Sequence, residues 1–276
     1  RCNYQYMKEA SPWMTEGYWK PAFPGQAAHL LPPIENYSDG PAGFRFEPGT
    51  ALGERQRGLF LLNEFPSGKM KAFRVEPVGA SYRMIDARLL TEGVMGIGMS
   101  WHPDGSLLFV DWIGGYPLDG LGALWRVDTR DPQRHPARDE THRLLAAGFQ
   151  AQDDAQLTTL LHHADQRVRL GAQFELVRRG RFAGLLATAS DPGTSRLARV
   201  HALWGYGQGL RHGAVQPGAA QALLRDADAE IRAQTAKIFG DAPKARIDDS
   251  ALVALLRDPS PRVRVRAALA AGKRGT

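Results

Sequence analysis

Cysteine is almost missing: Cys2 is the only one in 276 residues. A lone thiol excludes an internal disulfide framework and a thiolate metal cluster. Long apolar runs are missing as well, and none approaches the roughly 18–20 residues that a bilayer-crossing helix needs. The chain opens Arg1-Cys2-Asn3, with neither a Met nor a charged-then-apolar leader, and reads as a segment of a larger protein. Aromatic residues do not interleave with the arginines as a nucleic-acid groove requires, which speaks against a nucleic-acid partner.

What is present suits globular domains. The apolar fraction is 43%, enough for one large or two medium cores. The net charge of +6 is uneven. Residues 138–276 hold 21 Lys/Arg against 14 Asp/Glu, a net +7, which leaves −1 for residues 1–137. Such a basic half fits an acidic partner or an anionic membrane, or simply an arginine-rich solvated surface.

Two periods divide the chain. Residues 1–37 are rich in Trp, Tyr and Pro without periodicity and predict a long ordered loop over an apolar surface. From residue 41, short strand-like runs alternate with turn residues. Gly43-Phe44-Arg45-Phe46 is matched by Gly98-Met99-Ser100-Trp101, 55 residues later. Phe60-Leu61-Leu62-Asn63-Glu64-Phe65 is matched by Leu107-Leu108-Phe109-Val110-Asp111-Trp112, and Phe73-Arg74-Val75-Glu76 by Trp125-Arg126-Val127-Asp128. A repeat of about fifty residues with several strands predicts propeller blades, the rest of the ring lying upstream.

After residue 145 the period becomes helical. Leu160-Leu161-His162-His163-Ala164-Asp165 recurs at Leu223-Leu224-Arg225-Asp226-Ala227-Asp228 and at Leu255-Leu256-Arg257-Asp258-Pro259-Ser260, offsets of 63 and 32. Units of about 30–33 residues, each two helices about a Pro/Asp turn, predict a HEAT-like solenoid. Asp165, Asp228 and Ser260 stand where the following helix needs an N-cap. The expected organisation is a multidomain β-then-α chain. Residues 1–130 form the last blades of a six-bladed β-propeller, 131–145 a linker, and 146–276 the HEAT-like α-solenoid.

The phrases Asn3-Tyr4-Gln5-Tyr6, Pro24-Gly25-Gln26, Leu31-Pro32-Pro33-Ile34, Gly40-Pro41-Ala42-Gly43 and Asp111-Trp112 carry a resemblance. In that order they resemble the C-terminal part of quinoprotein glucose/sorbosone dehydrogenases. The similarity is greatest to the membrane-bound dehydrogenase branch of planctomycetes and verrucomicrobia, whose propeller precedes HEAT repeats. The resemblance implies an oxidoreductase acting on a sugar or polyol, with pyrroloquinoline quinone (PQQ) and calcium as cofactors. It further implies a periplasmic or cell-envelope location, and haem if a downstream module exists. The family's catalytic base belongs upstream, so the catalytic residue of this segment is unknown and the segment alone is expected to be inactive. Asn36 and Ser38 fall at the cofactor-lining positions. Where the family carries two quinone-binding arginines this sequence has Met95 and Ile97; Lys69 and Lys71 are the nearest cations to replace a further basic residue.

The remaining candidates have two readings each. Glu64 and Asp111, at equivalent strand ends, suit calcium or sugar hydroxyls, or simply backbone amides of the following turn. Trp112 and Trp101 suit a sugar ring or a core. His102 beside Pro103 is a turn residue or a base. His162-His163 looks metal-like, yet adjacent helical residues diverge and no carboxylate partner recurs, so no metal site is expected. Gly93, Gly96 and Gly98 precede a strand and do not form a dinucleotide loop. Arg169, Arg199, Arg232 and Arg264 recur in the helical units, as an interaction surface for an anionic protein partner or as a ladder binding one repeat to the next. Function therefore divides between a segment of a quinone-dependent dehydrogenase and a non-catalytic carbohydrate- or protein-binding scaffold.

Overall fold

The computed structural model describes residues 40–114, 120–130, 135–242 and 247–276, together with Phe23, Ile34, Glu35, Tyr37 and Ser38. The loop expected over residues 1–37 lies almost wholly outside the described residues, and so does Asn36.

The turn-punctuated runs form strands β1 (Pro41–Phe46), β2 (Phe60–Glu64), β3 (Lys69–Val78), β4 (Ser81–Glu92), β5 (Gly96–Trp101), β6 (Leu107–Asp111) and β7 (Ala123–Val127). They pair in chain order as a four-stranded sheet, β1-β2-β3-β4, and a three-stranded sheet, β5-β6-β7. Every pairing is antiparallel, with Phe60 opposite Phe73 and Phe109 opposite Trp125. The matched sequence phrases occupy matching strands: β1 with β5, β2 with β6, β3 with β7.

These sheets correct the expected fold. Among the described residues there is no closed barrel and no propeller, only two small meanders followed by helices. The physical reason is local. Each meander completes its pairing between sequence neighbours, and the sheets close their apolar faces on each other rather than around a ring. Leu61, Met70 and Ala72 from the first meet Met99, Leu107 and Phe109 from the second in one buried cluster. A fifty-residue repetition marks the meander, which is a weaker statement than a blade.

Eight helices follow among the described residues: α1 (Arg138–Ala147), α2 (Asp154–Leu160), α3 (Gln166–Arg178), α4 (Phe182–Ser190), α5 (Arg196–Arg211), α6 (Ala229–Gly240), α7 (Asp249–Ala254) and α8 (Pro261–Arg274). Helix α1 lies largely inside the stretch expected as a linker. The helical half is less regular than the period suggested. The segment Gly218–Arg225 is a 3-10 helix, and α7 has six residues before a 3-10 turn, Leu255–Arg257. The HEAT-like designation is withdrawn with the propeller.

The helices nonetheless stack in two rows. Helices α2, α4, the 3-10 segment Gly218–Arg225 and α7 form the first row, and α3, α5, α6 and α8, successive neighbours of one another, form the second. Between the rows lies a continuous apolar core including Leu161, Leu185, Leu203, Leu224, Ile231, Phe239, Leu252 and Val263. Gly240 sets the closest approach, since a Cβ there would stand 2.7 Å from Ala270 Cα. Two predicted caps form: Asp165 accepts from Arg167 N and Asp228 from Glu230 N, each at 2.8 Å. Ser260 makes no side-chain cap; Asp258 accepts its amide instead at 2.8 Å, and Pro261 at the first helical position removes a donor that would lack a partner. Among the described residues no helix is long and apolar enough to cross a membrane.

Candidate functional site

The two strand-end carboxylates do not share an environment. Glu64 is buried, its Oε2 2.8 Å from Lys71 Nζ, and that ammonium also donates to Tyr37 O at 3.0 Å. Asp111 is half-buried and accepts from Trp125 Nε1 at 2.9 Å. Trp112 stacks on Phe65 with centroids 5.0 Å apart, so the ring is engaged across the two sheets. Trp101 donates from Nε1 to Phe46 O at 2.8 Å and likewise ties the sheets together. Ser38 Oγ is buried without a hydrogen-bond partner. Met95 O accepts from Trp112 N at 3.2 Å, and Ile97 is partly exposed.

The histidines serve turns. His102 Nδ1 sits 2.9 Å from Asp104 Oδ1, and His163 Nδ1 accepts from Asp165 N at 3.0 Å. His162 points elsewhere, its Nδ1 3.2 Å from Ser195 Oγ. Burial holds the His163 imidazole below its ordinary pKa against the opposing pull of Glu140. Among the described residues no three His, Cys, Asp or Glu side chains gather as a metal would need.

The four repeated arginines face inward to their own backbone. Arg169 donates to His163 O and Ala164 O at 2.6 and 2.8 Å. Arg232 repeats this on Asp226 O and Ala227 O, and Arg264 on Asp258 O and Pro259 O. Each of these three guanidinium groups thus fixes the turn that precedes its helix, satisfying carbonyls that the preceding helical element leaves open, while Arg199 donates to Ala189 O at 2.8 Å, ten residues back. Two of them also reach the next unit. Arg199 pairs with Asp226 at 2.5 Å and Arg232 with Asp258 at 2.8 Å. Arg169 and Arg199 are under one-tenth exposed, so the geometry is that of a ladder between helix pairs.

No family model matches the chain, and no curated protein is significantly similar to it. The described residues do not fit the cofactors that the resemblance implies. A tricarboxylate quinone needs paired cations, and Lys71, the cation bonded to the Tyr37–Ser38 segment, is already neutralised by Glu64. Met95 and Ile97 supply no charge.

Sequence reasoning missed the seam between sheets and helices. Asp165 is fully buried, accepting from Thr50 Oγ1 at 2.6 Å and from Arg167 at 3.0 Å. Arg167 reaches on to His102 O at 2.7 Å, and Gln166 N donates to Pro48 O at 2.7 Å. Arg138 donates from Nε to Asp104 O at 2.7 Å and pairs with Asp128. Glu47 is buried beside this seam, accepting from the amides of Gly49, Ala51 and Leu52; burial raises its pKa, opposed by those amides. At the other end of the stack, Arg262 lies 5.5 Å over the Tyr82 ring of β4. The sheets thus grip the N-terminal ends of both α3 and α8.

What remains open is the outward face of the second row. Counting nine residues from the caps Asp165, Ser195, Asp228 and Ser260 gives Phe174, Trp204, Lys237 and Leu269. Phe174 is 54% exposed and Leu269 44%. Trp204 donates to Gln234 Oε1 at 2.9 Å, and Gln234 to Glu230 at 2.6 Å. Beneath them His201 is buried, with Nδ1 2.9 Å from Gln173 Oε1. Burial, with Arg169 adding a like charge, brings the His201 pKa down to about 4, so the ring is neutral at physiological pH.

Proposed function

We propose that this chain is a non-catalytic binding platform, whose helical stack, anchored on two sheets, offers its second-row face to a polypeptide partner. One observation carries the reading: the repeated arginines are bonded inside the stack, where they stiffen it. Three of the positions nine residues after each cap, Phe174, Lys237 and Leu269, by contrast stand on the outer face, with Trp204 half-buried against the core between them. A surface of that composition on a rigid array suits protein recognition. The ion pair of Glu64 with Lys71 and the Trp125 bond of Asp111 support the same reading, since both carboxylates already serve protein donors.

The test uses the whole chain and three sets of labelled ten-residue peptides: acidic, basic, and neutral with aromatics. Binding is followed by fluorescence anisotropy. In parallel, dye reduction is followed with glucose and sorbitol, with quinone and calcium supplied. At least one peptide class is expected to saturate, with no dye reduced. Sugar-dependent dye reduction, or no binding by any peptide class, would overturn the proposal.

A further inference from the structure

Helices α6 and α8 lie side by side, and their outward stripes are charged. Along α6 the stripe is carried by Glu230, Lys237 and Asp241, about the buried Gln234; along α8 it runs Arg262, Arg266, Leu269, Lys273. The ends of the groove are closed by ion pairs. At the N-terminal end Arg262 bonds Glu230 at 2.5 Å. At the C-terminal end both Lys237 and Lys273 share Asp241, at 2.7 and 2.6 Å. Between these ends a concavity opens, lined by Lys237, Gly240, Arg266, Leu269, Ala270 and Lys273.

Its charge is unbalanced. Three cations line it, and Asp241 is the single carboxylate bonded to any of them. Arg266 makes no hydrogen bond or ion pair among the described residues, and its field contributes to holding the Glu230 carboxyl below its ordinary range. That shift is carried mainly by the bond from Arg262, acting against burial. The floor is shaped by the Gly240–Ala270 approach, where no side chain stands between the helix backbones. The equivalent groove between α3 and α5 has no such chemistry: counted from the caps, its matching positions include Phe174, Val177, His201, Trp204 and Gln208.

We infer that the α6–α8 groove is an anion site that receives carboxylates of an acidic polypeptide segment. The inference deepens the platform reading and rests on it. Charge complementarity selects the occupant, because an unpaired guanidinium between two half-neutralised ammonium groups favours carboxylate forks. Leu269 beside the cations, and the exposed Phe174 farther along the same face, favour a chain that carries apolar side chains as well. A nucleic-acid strand would want its bases stacked among the cations, and no aromatic side chain lines this concavity among the described residues.

The experiment follows a fluorescein-labelled oligoglutamate of about ten residues on the full chain by anisotropy, at low and physiological salt. Saturable, salt-sensitive binding is expected. Arg266→Gln combined with Lys237→Gln should weaken it by about tenfold or more, while Arg211→Gln, an exposed arginine at the end of α5, should leave it unchanged. Circular dichroism melts verify that each variant folds, and Arg266→Gln alone serves if the double variant does not. The inference is overturned by an equal loss with Arg211→Gln, or by tighter binding of a single-stranded oligonucleotide of equal charge. Binding of a basic or neutral peptide without oligoglutamate would sink this inference and leave the platform standing; binding of no peptide at all would remove both.

Discussion

The sheets and the helices both repeat their polar residues, but only in the helices does the repetition become an equivalent structure. Arg232 and Arg264, thirty-two residues apart, make the same two bonds to the two preceding turn carbonyls. Glu64 and Asp111, equally well matched in sequence, end in different surroundings, one buried against a lysine and one at a half-open edge beside an indole. The difference is one of range. A helical arginine reaches carbonyls five and six residues back, so the local sequence fixes its partner. A strand-end carboxylate meets whatever the neighbouring strand and loop bring to it. Equivalent sequence therefore implies equivalent role in the helical half and only equivalent position in the sheets.

The comparison can be broken most forcefully in the helices. Asp258→Ala leaves the half-buried Arg232 guanidinium without its carboxylate and should cost about 2 kcal/mol in urea unfolding. A cost below about 0.5 kcal/mol, the range of an exposed pair, would show that the ladder is ornamental. Next comes pH. The His201 cation is disfavoured in the fold, with a pKa of about 4 against an ordinary 6.5, so the unfolded chain takes up the proton first. Stability from this group is complete above pH 6.5 and falls as pH drops toward 4, by on the order of 2–3 kcal/mol. His201→Gln should flatten that slope in denaturation curves collected across the window; an unchanged slope would assign it to other groups. The smallest effects should separate the sheets. Glu64→Gln should cost roughly 1–2 kcal/mol by stranding Lys71, and Asp111→Asn less than about 1 kcal/mol, since the amide oxygen still accepts from Trp125. Equal costs would restore the equivalence of the two strand ends.

Much of the secondary structure was legible because it rests on local pattern. Alternating runs closed by glycine became β1 to β7, and the dipeptide repeats with an aspartate before each long helix became the second row. The architecture was not legible in the same way. Whether two meanders close a ring or fold onto each other depends on which faces meet, and no spacing announces that Leu61 and Met99 share one buried cluster. The seam was hidden for the same reason, since Thr50 and Asp165 are 115 residues apart. The ladder was readable as one of two alternatives, because Asp226 and Asp258 recur in step with Arg199 and Arg232. The cationic groove left a trace that went unused: Arg262, Arg266, Leu269 and Lys273 fall at helical spacing on one stripe, and their significance appears only once α6 lies alongside.

The central claim is that the arginines divide between a structural ladder and a recognition groove. It is tested most directly by measuring stability and oligoglutamate affinity on the same two variants, Arg232→Gln and Arg266→Gln. The account predicts a double dissociation: the first loses unfolding free energy and keeps its affinity, the second loses affinity and keeps its stability. If both variants lose stability alone, or both lose affinity alone, the division does not exist and the assignment of the α6–α8 groove falls with it.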